Sequence, residues 1–509
     1  MDLWGRLRVA MRELRDYDGL LMMLAWDQAV MMPGRATEGR ARQIGLVSTL
    51  RHARITDPEI GELLEQVAAE PLEARPAAAV ARLKRERDLA VKIPAQLVEQ
   101  VAEATSQGYA AWKGARRTND FAALAPFLER IVELKRQEAE AIGYAGEPYD
   151  ALLDLFDEGS TVATVEPTLR SVGEELKPLF DASLAAGMEG ADLPRGPFDG
   201  AAQVNFSRDL AVRLGYDLEG GRVDPTPHPF VSTPGPGDVR LTTRYFDDDV
   251  LPCIMATMHE SGHALYEQGL PADWFDTYAG LAASYALHES QSRLWENHVG
   301  RSRAFWDGQA PHLERAFPQL RGTTGEQFHR ASCRVSRSLI RVESDELSYP
   351  FHIILRFDLE LALIRGDLKV RDLPGAFNAE MRRHLGTSAE TDSMGVLQDV
   401  HWSKGLFGYF PSYLLGTIYA AAIYAAAETA LGGPASLDAD IRDGDFSRLL
   451  GWLRPNIHAR ASFATTREIL HDATGMRPEG PVDTAPFLRH LRSRYGSLYR
   501  IDADSLPVR

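Results

Sequence analysis

"MHESGHALYEQG", residues 258–269, decides how the rest of the chain is read. It sets His259 and His263 four apart, with Glu260 directly after the first histidine. In an α-helix, positions i and i+4 share a face one turn apart, so both imidazoles can point at one ion. Glu260 lies about 100° further round the same helix. There it stands beside the ion without having to ligate it, which suits a base acting on water. This is the mechanical content of H-E-x-x-H. Ile254, Met255 and Met258 before the pair, with Ala264, Leu265 and Tyr266 after it, supply the apolar face of a packed helix. The bland alternative is two histidines on an ordinary buried helix.

A catalytic zinc takes three protein ligands and keeps one position open. The third ligand has to come from another element packed against the first. "YALHESQSRLWENH" (285–298) reads as a helix and offers two carboxylates, Glu289 and Glu296. The intervening "GLPADWFDTYAG" (269–280) carries Gly and Pro, which suit a reversal between antiparallel helices.

Outward from this region the pattern stays helical. Residues 1–185 hold stretches such as "RATEGRARQIGLVSTLRHARI", with apolar residues at three and four spacings and strong helix formers throughout. Pro94 marks a break or a new helix start. Residues 186–250 differ: "GMEGADLPRGPFDGAAQ" and "VDPTPHPFVSTPGPGD" are dense in Gly and Pro and read as loops. "DVRLTTRYFDD" (238–248) is the best strand candidate, and it could add a substrate backbone as an extra strand. Helical patterning returns over 251–509, and no repeat of 20–50 residues is visible. The expected fold is mostly α, a single unit over 1–509 with a small β element beside the histidine helix.

Composition narrows the function. The formal net charge of -16 argues against nucleic acid or an anionic membrane as partner, since both need a basic face. Of 509 residues only two are cysteines, Cys253 and Cys333, so a disulfide framework is not expected and a reducing compartment fits. The N-terminus lacks the uninterrupted apolar core of a signal peptide. "YLLGTIYAAAIYAAAETAL" (413–431) is Ala-rich and broken by Gly416, so it reads as a buried helix before a membrane span. A soluble, cytoplasmic protein is the expectation.

Further motifs make the chain familiar. It carries Asp238, Arg240 and Thr242 as D-x-R-x-T, and His288, Glu289, Ser290 and Gln291 as H-E-S/G-Q. "GVLQDVHW" (395–402) meets G-x-x-Q-D-x-H-W, and Ile340, Arg341 and Asp345 meet I/V-R-x-x-A-D, with Ser344 in place of Ala. Together with "WDQAVMMPG" (26–34), these resemble the carboxypeptidase Taq family of zinc metallocarboxypeptidases over essentially the whole chain. The resemblance implies His259, His263 and Glu289 as metal ligands, with Glu260 as general base and later acid. It implies Zn²⁺, which Co²⁺ or Mn²⁺ can replace in such a site. His401 is carried over as a donor to the oxyanion, with Tyr413 preferred to Tyr409 as its companion. Asp399 and His288 are candidates to orient a histidine. For the substrate's terminal carboxylate, a planar guanidinium is the apt partner; Arg341 is the first choice and Arg240 the second. The resemblance also implies a body in two halves around a deep groove, a homodimer, and short peptides with a free C-terminus as broad-specificity substrates.

Two other functions compete. An H-E-x-x-H helix also suits an oligopeptidase or endopeptidase, which would not demand a free terminal carboxylate. A non-catalytic helical metal-binding protein would lack Glu260 or close the site with a fourth ligand, and Glu260 is present.

Overall fold

Helix formers at helical spacing do produce helices here. The computed structural model describes residues 2–503, 505 and 506, and these hold twenty α-helices and one three-stranded sheet. The chain divides into two compact units, each assembled from three stretches. The first comprises Met1–Val91, Asp192–His329 and Ala422–Pro478; the second comprises Lys92–Ala191, Arg330–Ala421 and Glu479–Arg509.

In the first unit the histidine helix spans Leu251–Glu267. Asp249 accepts the Leu251 N–H at 2.9 Å, and a proline sits in the first turn, where its missing N–H costs nothing. Its residues are buried on nearly every side, from Cys253 to Tyr266, so it is a central helix. The glutamate helix Tyr285–Arg293 starts at Ser284, whose hydroxyl accepts the Leu287 N–H, and runs into a π-helical turn, Leu294–Val299. π turns are rare and concentrate at functional sites. The two ligand-bearing helices meet at Gly262. A Cβ there would stand 2.5 Å from the Gln291 carbonyl oxygen, so only glycine permits this approach.

The sheet lies in the same unit: β1 (Gly221–Pro225), β2 (Val231–Gly235) and β3 (Asp238–Thr243), in spatial order β1-β3-β2. β3 is parallel to β1 and antiparallel to β2. The strand expectation for 238–248 holds for its first half. The loop reading of 186–250 holds for 187–199 but not beyond: the stretch also contains two further strands and a helix, Gly200–Leu214, capped by Asp199 and stopped by Gly215. β3 is also the central strand, paired on both edges, so it cannot take a substrate backbone as an added strand.

In the second unit, Pro94 opens the helix Ala95–Thr118. Asn119, at φ 56°, and Asp120 turn it into the paired helix Phe121–Ile142. Helix Tyr349–Arg365 is buried all round and forms this unit's axis. Helix Phe410–Ala430 is the one helix, among the described residues, long and apolar enough to cross a membrane; most of it is buried within the protein, as a core helix would be.

Candidate active site

His259, His263 and Glu289 come together as read from spacing, with their ligand atoms within 4.8 Å of one another. Glu289 Oε2 stands 3.7 Å from His259 Nε2 and 3.4 Å from His263 Nε2. Tetrahedral bonds of about 2.1 Å put neighbouring ligand atoms about 3.4 Å apart, so the trio fits a small dication with little adjustment.

The other side of each imidazole is tied off. His259 Nδ1 lies 2.8 Å from Glu296 Oε2, and a carboxylate there can only accept. His259 therefore carries its proton on Nδ1 and leaves Nε2 free to ligate. For His263 the logic runs through two residues. His288 Nε2 donates to Glu267 at 2.8 Å, so His288 Nδ1 is an acceptor, and His263 Nδ1–H donates to it at 2.6 Å. The lone pair of His263 Nε2 again faces the ligand cluster.

Glu289 is placed by Arg293, one turn later, at 2.7 Å, and by the Ser292 hydroxyl at 3.0 Å. Arg293 also donates to Glu296 at 3.0 Å. Burial opposes ionisation of Glu289, but Arg293, His259 and His263 outweigh it and hold the carboxyl well below its usual range. Burial, aided by His288, lowers His263 to about 3, so this imidazole is neutral and able to ligate. Burial works against a charged His259 too, yet Glu289 and Glu296 outweigh it and raise this group. Glu260 is buried, and burial lifts it to about 7. Glu296, the competing ligand candidate, is spent on His259. Sequence reasoning missed Glu267 and Arg293, although each stands four residues from a candidate ligand on the same helix.

Arg240 is in this unit. Both sides of its guanidinium fork go to Asp238 at 2.8 Å, and it lies 4.4 Å over the Trp26 ring. Arg222 covers the same ring at 5.2 Å. Thr242 both donates to and accepts from the backbone of Phe230, fastening β3 to the approach to β2. The D-x-R-x-T residues thus build the sheet.

The second unit gathers His401, Tyr413, Arg341 and Asp399. His401 Nε2 lies 3.2 Å from the Tyr413 hydroxyl, while Tyr409 stacks on the imidazole at 5.6 Å. Burial lowers His401 to about 3. Arg341 donates twice to Asp399 Oδ1, at 3.0 and 2.9 Å, and reaches the Tyr349 hydroxyl at 3.4 Å. Arg356 takes the other oxygen of Asp399 at 2.7 Å. Burial resists the charge on Asp399, but the two guanidinium groups outweigh it and hold the carboxyl far below its ordinary range. Asp399 Oδ1 is 3.8 Å from His401 Nδ1, too far for a hydrogen bond, so Asp399 does not orient this histidine; its oxygens go to Arg341 and Arg356 instead. Gln398 laces the motifs together: it accepts the Arg341 N–H at 2.8 Å and donates to the carbonyls of Leu339 and Met394.

A second trio in this unit, Asp358, Glu380 and His384, also lies within 4.8 Å. Arg170 already fills both oxygens of Asp358, at 2.9 and 2.6 Å, and Glu380 faces His384 and Arg383. This is an ion-pair cluster, and its geometry offers no open ligand set.

Two histidines four apart, a glutamate between them and a second carboxylate on the next helix as third ligand define a helical metallohydrolase. The chain belongs to the carboxypeptidase Taq (M32) metallopeptidase family, whose pattern matches residues 6–495. It is 41% identical to thermostable carboxypeptidase 1 of Thermus thermophilus, over 96% of this chain and 97% of that one. Carboxypeptidase 1 of Bacillus subtilis is 34% identical, with the same coverage of both chains. The crystal structure of M32 carboxypeptidase from Deinococcus radiodurans superposes with a TM-score of 0.93 at 41% identity, over 98% of this chain and 99% of that one. The chain is a metal-dependent carboxypeptidase with a divalent ion as its cofactor and peptides as its substrates.

Proposed function

We propose that this carboxypeptidase uses Zn²⁺, held by His259, His263 and Glu289, to release single C-terminal residues from short peptides with broad specificity. The observation that carries the reading is the convergence of two imidazole Nε2 atoms and one carboxylate oxygen at tetrahedral spacing. When bound there, the ion polarises the scissile carbonyl and makes water acidic near neutral pH. Glu260, next to His259 on the same helix, takes the proton of the attacking water and passes it to the leaving amine. Burial holds its carboxyl close to neutrality, where it can both accept and return a proton; a nearby dication would draw it down. His401 and Tyr413, already within hydrogen-bond distance of each other, act as donors to the developing oxyanion. Arg341, buried and holding Asp399 and the Tyr349 hydroxyl, is the first candidate for the substrate carboxylate, and Arg240, whose fork is filled by Asp238, is the second.

The test uses one N-blocked peptide with a free or an amidated C-terminus, incubated with zinc-loaded protein and followed by mass. Stepwise loss of single residues from the free acid alone is expected, and a chelator abolishes it. Internal cleavage of both forms would sink the carboxylate-recognition reading and leave an endopeptidase. Glu260→Gln retains the metal and loses about 10²- to 10⁴-fold in turnover. Turnover near wild type would remove Glu260 from the proton path. Arg341→Ala lowers kcat/KM for the free acid.

Two further properties are proposed: a homodimer, on the family resemblance, and a cytoplasmic location, on the composition of the chain. Neither cysteine is in a disulfide and both are buried, which suits a reducing compartment. Light scattering at twice the chain mass tests the dimer, and fractionation of the source cells tests the location.

A further inference from the structure

Helix Tyr349–Arg365 carries Glu360 fully buried. Three donors converge on it. Tyr149, from helix Pro148–Asp154, donates its hydroxyl to Oε2 at 2.5 Å. The Gly408 N–H donates to the same oxygen at 2.9 Å, and Trp402 Nε1–H donates to Oε1 at 2.8 Å. Among the described residues no cation hydrogen-bonds this carboxylate; Arg356, one turn earlier, is spent on Asp399. An ionised group held only by dipoles in a dry interior is costly, and burial lifts this carboxyl to about 7 despite its three hydrogen bonds. Its two oxygens are the acceptors for these three buried donors; an apolar side chain would leave all of them unmet and an amide at least one, so the carboxylate is matched to what it holds.

What the carboxylate holds explains its presence. Trp402 follows His401 directly, Gly408 precedes Tyr409, and Tyr413 lies one turn into the helix Phe410–Ala430. Glu360 thus pins both ends of the segment that joins the histidine to its tyrosines. Gly408 sits at φ 92°, and a Cβ there would stand 2.5 Å from the Leu152 carbonyl oxygen, so the clamp needs glycine at that point.

We infer that Glu360 is a positioning residue of peptide hydrolysis, which sets His401 against Tyr413 by fixing Trp402 and Gly408 to one buried carboxylate. The inference rests on the proposed donor role of His401 and Tyr413. Displacement of a catalytic group by about 1 Å can cost 10²-fold in rate, so the effect belongs in kcat.

The test is a double-mutant cycle in the full-length, zinc-loaded enzyme on a blocked free-acid peptide. Glu360→Ala lowers kcat about 10- to 100-fold with KM within about threefold, and metal content stays unchanged. Glu360→Gln keeps one acceptor oxygen for Tyr149 and Gly408 but turns an NH2 towards the Trp402 Nε1–H, so it restores only part of the loss. Tyr149→Phe, which removes a single bond and preserves the fold, lowers kcat a few-fold and serves if the alanine variant does not fold. In the His401→Ala background these substitutions add nothing further. Additive losses in that background, a loss carried by KM, or wild-type kcat in the Glu360 and Tyr149 variants overturns the inference alone. Wild-type kcat in His401→Ala overturns the donor assignment, and the inference falls with it.

Discussion

The proton on His263 is decided two residues away from the ligand cluster. Glu267 accepts from His288 Nε2, which leaves His288 Nδ1 as an acceptor, which in turn places the His263 proton on Nδ1. Burial would raise Glu267, yet its hydrogen bond with His288 outweighs this and keeps the carboxyl low, so the relay holds its polarity. Removing either outer member frees His263 to turn or change tautomer. Glu267→Ala and His288→Ala are therefore expected to weaken zinc binding about 10- to 100-fold while leaving all three ligands in place. Competition with a chromophoric chelator measures this directly, and wild-type affinity would show that the relay does not set the ligand. At this scale much was legible in the sequence: a spacing of four is a statement about a helix face, and His259 and His263 obey it. The choice between Glu289 and Glu296 was not legible from spacing. They lie seven apart, two turns of one helix face, and only packing shows that the first meets both Nε2 atoms while the second meets an Nδ1. Tertiary partners such as Asp399 with Arg356 were equally invisible, since 43 residues separate them.

Among elements, the close approach of the two ligand-bearing helices is the feature on which the centre depends. Gly262 and the backbone of Gln291 and Ser292 form the contact, and a methyl group at 262 would meet Ser292 Cα at 2.6 Å as well as the Gln291 carbonyl. These atoms belong to backbone and cannot swing aside. Gly262→Ala forces the glutamate helix outward and carries Glu289 away from His263. Overpacking of this kind costs about 1–3 kcal/mol in stability. The expected result is a lower melting temperature together with loss of zinc stoichiometry, and the second effect is the informative one. A variant that melts earlier but still binds one zinc per chain would mean that the helices separate without moving Glu289. The helices themselves were legible because propensity and apolar period agree along them. β1 and β2 were not, because Pro225 and Pro234 sit inside stretches that otherwise read as loops. Both are edge strands, where a missing backbone donor is tolerated, so proline demoted strands that the sheet can in fact accommodate.

At the scale of the whole molecule, some buried acids are matched to cations, while others, such as Asp150 and Asp345, are held by backbone N–H groups and hydroxyls. Glu289 has Arg293, Asp399 has Arg341 and Arg356, and Glu346 has His490 and Arg494. Apart from Glu289 with Arg293, one turn apart on the same helix, these pairings are long-range and do not follow from periodicity, which says which face is buried but not against what. Glu360 is of the second kind, being held by a hydroxyl, an indole and an amide. Its carboxyl titrates at about 7 in the folded protein against an ordinary 4.5. The sign of the resulting linkage is opposite to that of a salt-bridged acid. Below pH 4.5 both folded and unfolded chains keep the proton, and the group contributes nothing to the pH dependence. Between 4.5 and 7 the unfolded chain releases it while the folded one retains it, so stability falls as pH rises. About 2.5 pK units at 1.36 kcal/mol each make this on the order of 3 kcal/mol, complete above pH 7. Glu360→Gln lacks the titration and shares every other one. The unfolding free energy of wild type relative to Glu360→Gln should therefore drop on the order of 3 kcal/mol from pH 4.5 to 8, measured by denaturant unfolding at matched salt. A difference that stays flat across that range would mean that Glu360 ionises at its ordinary value, with its three donors fully offsetting its burial.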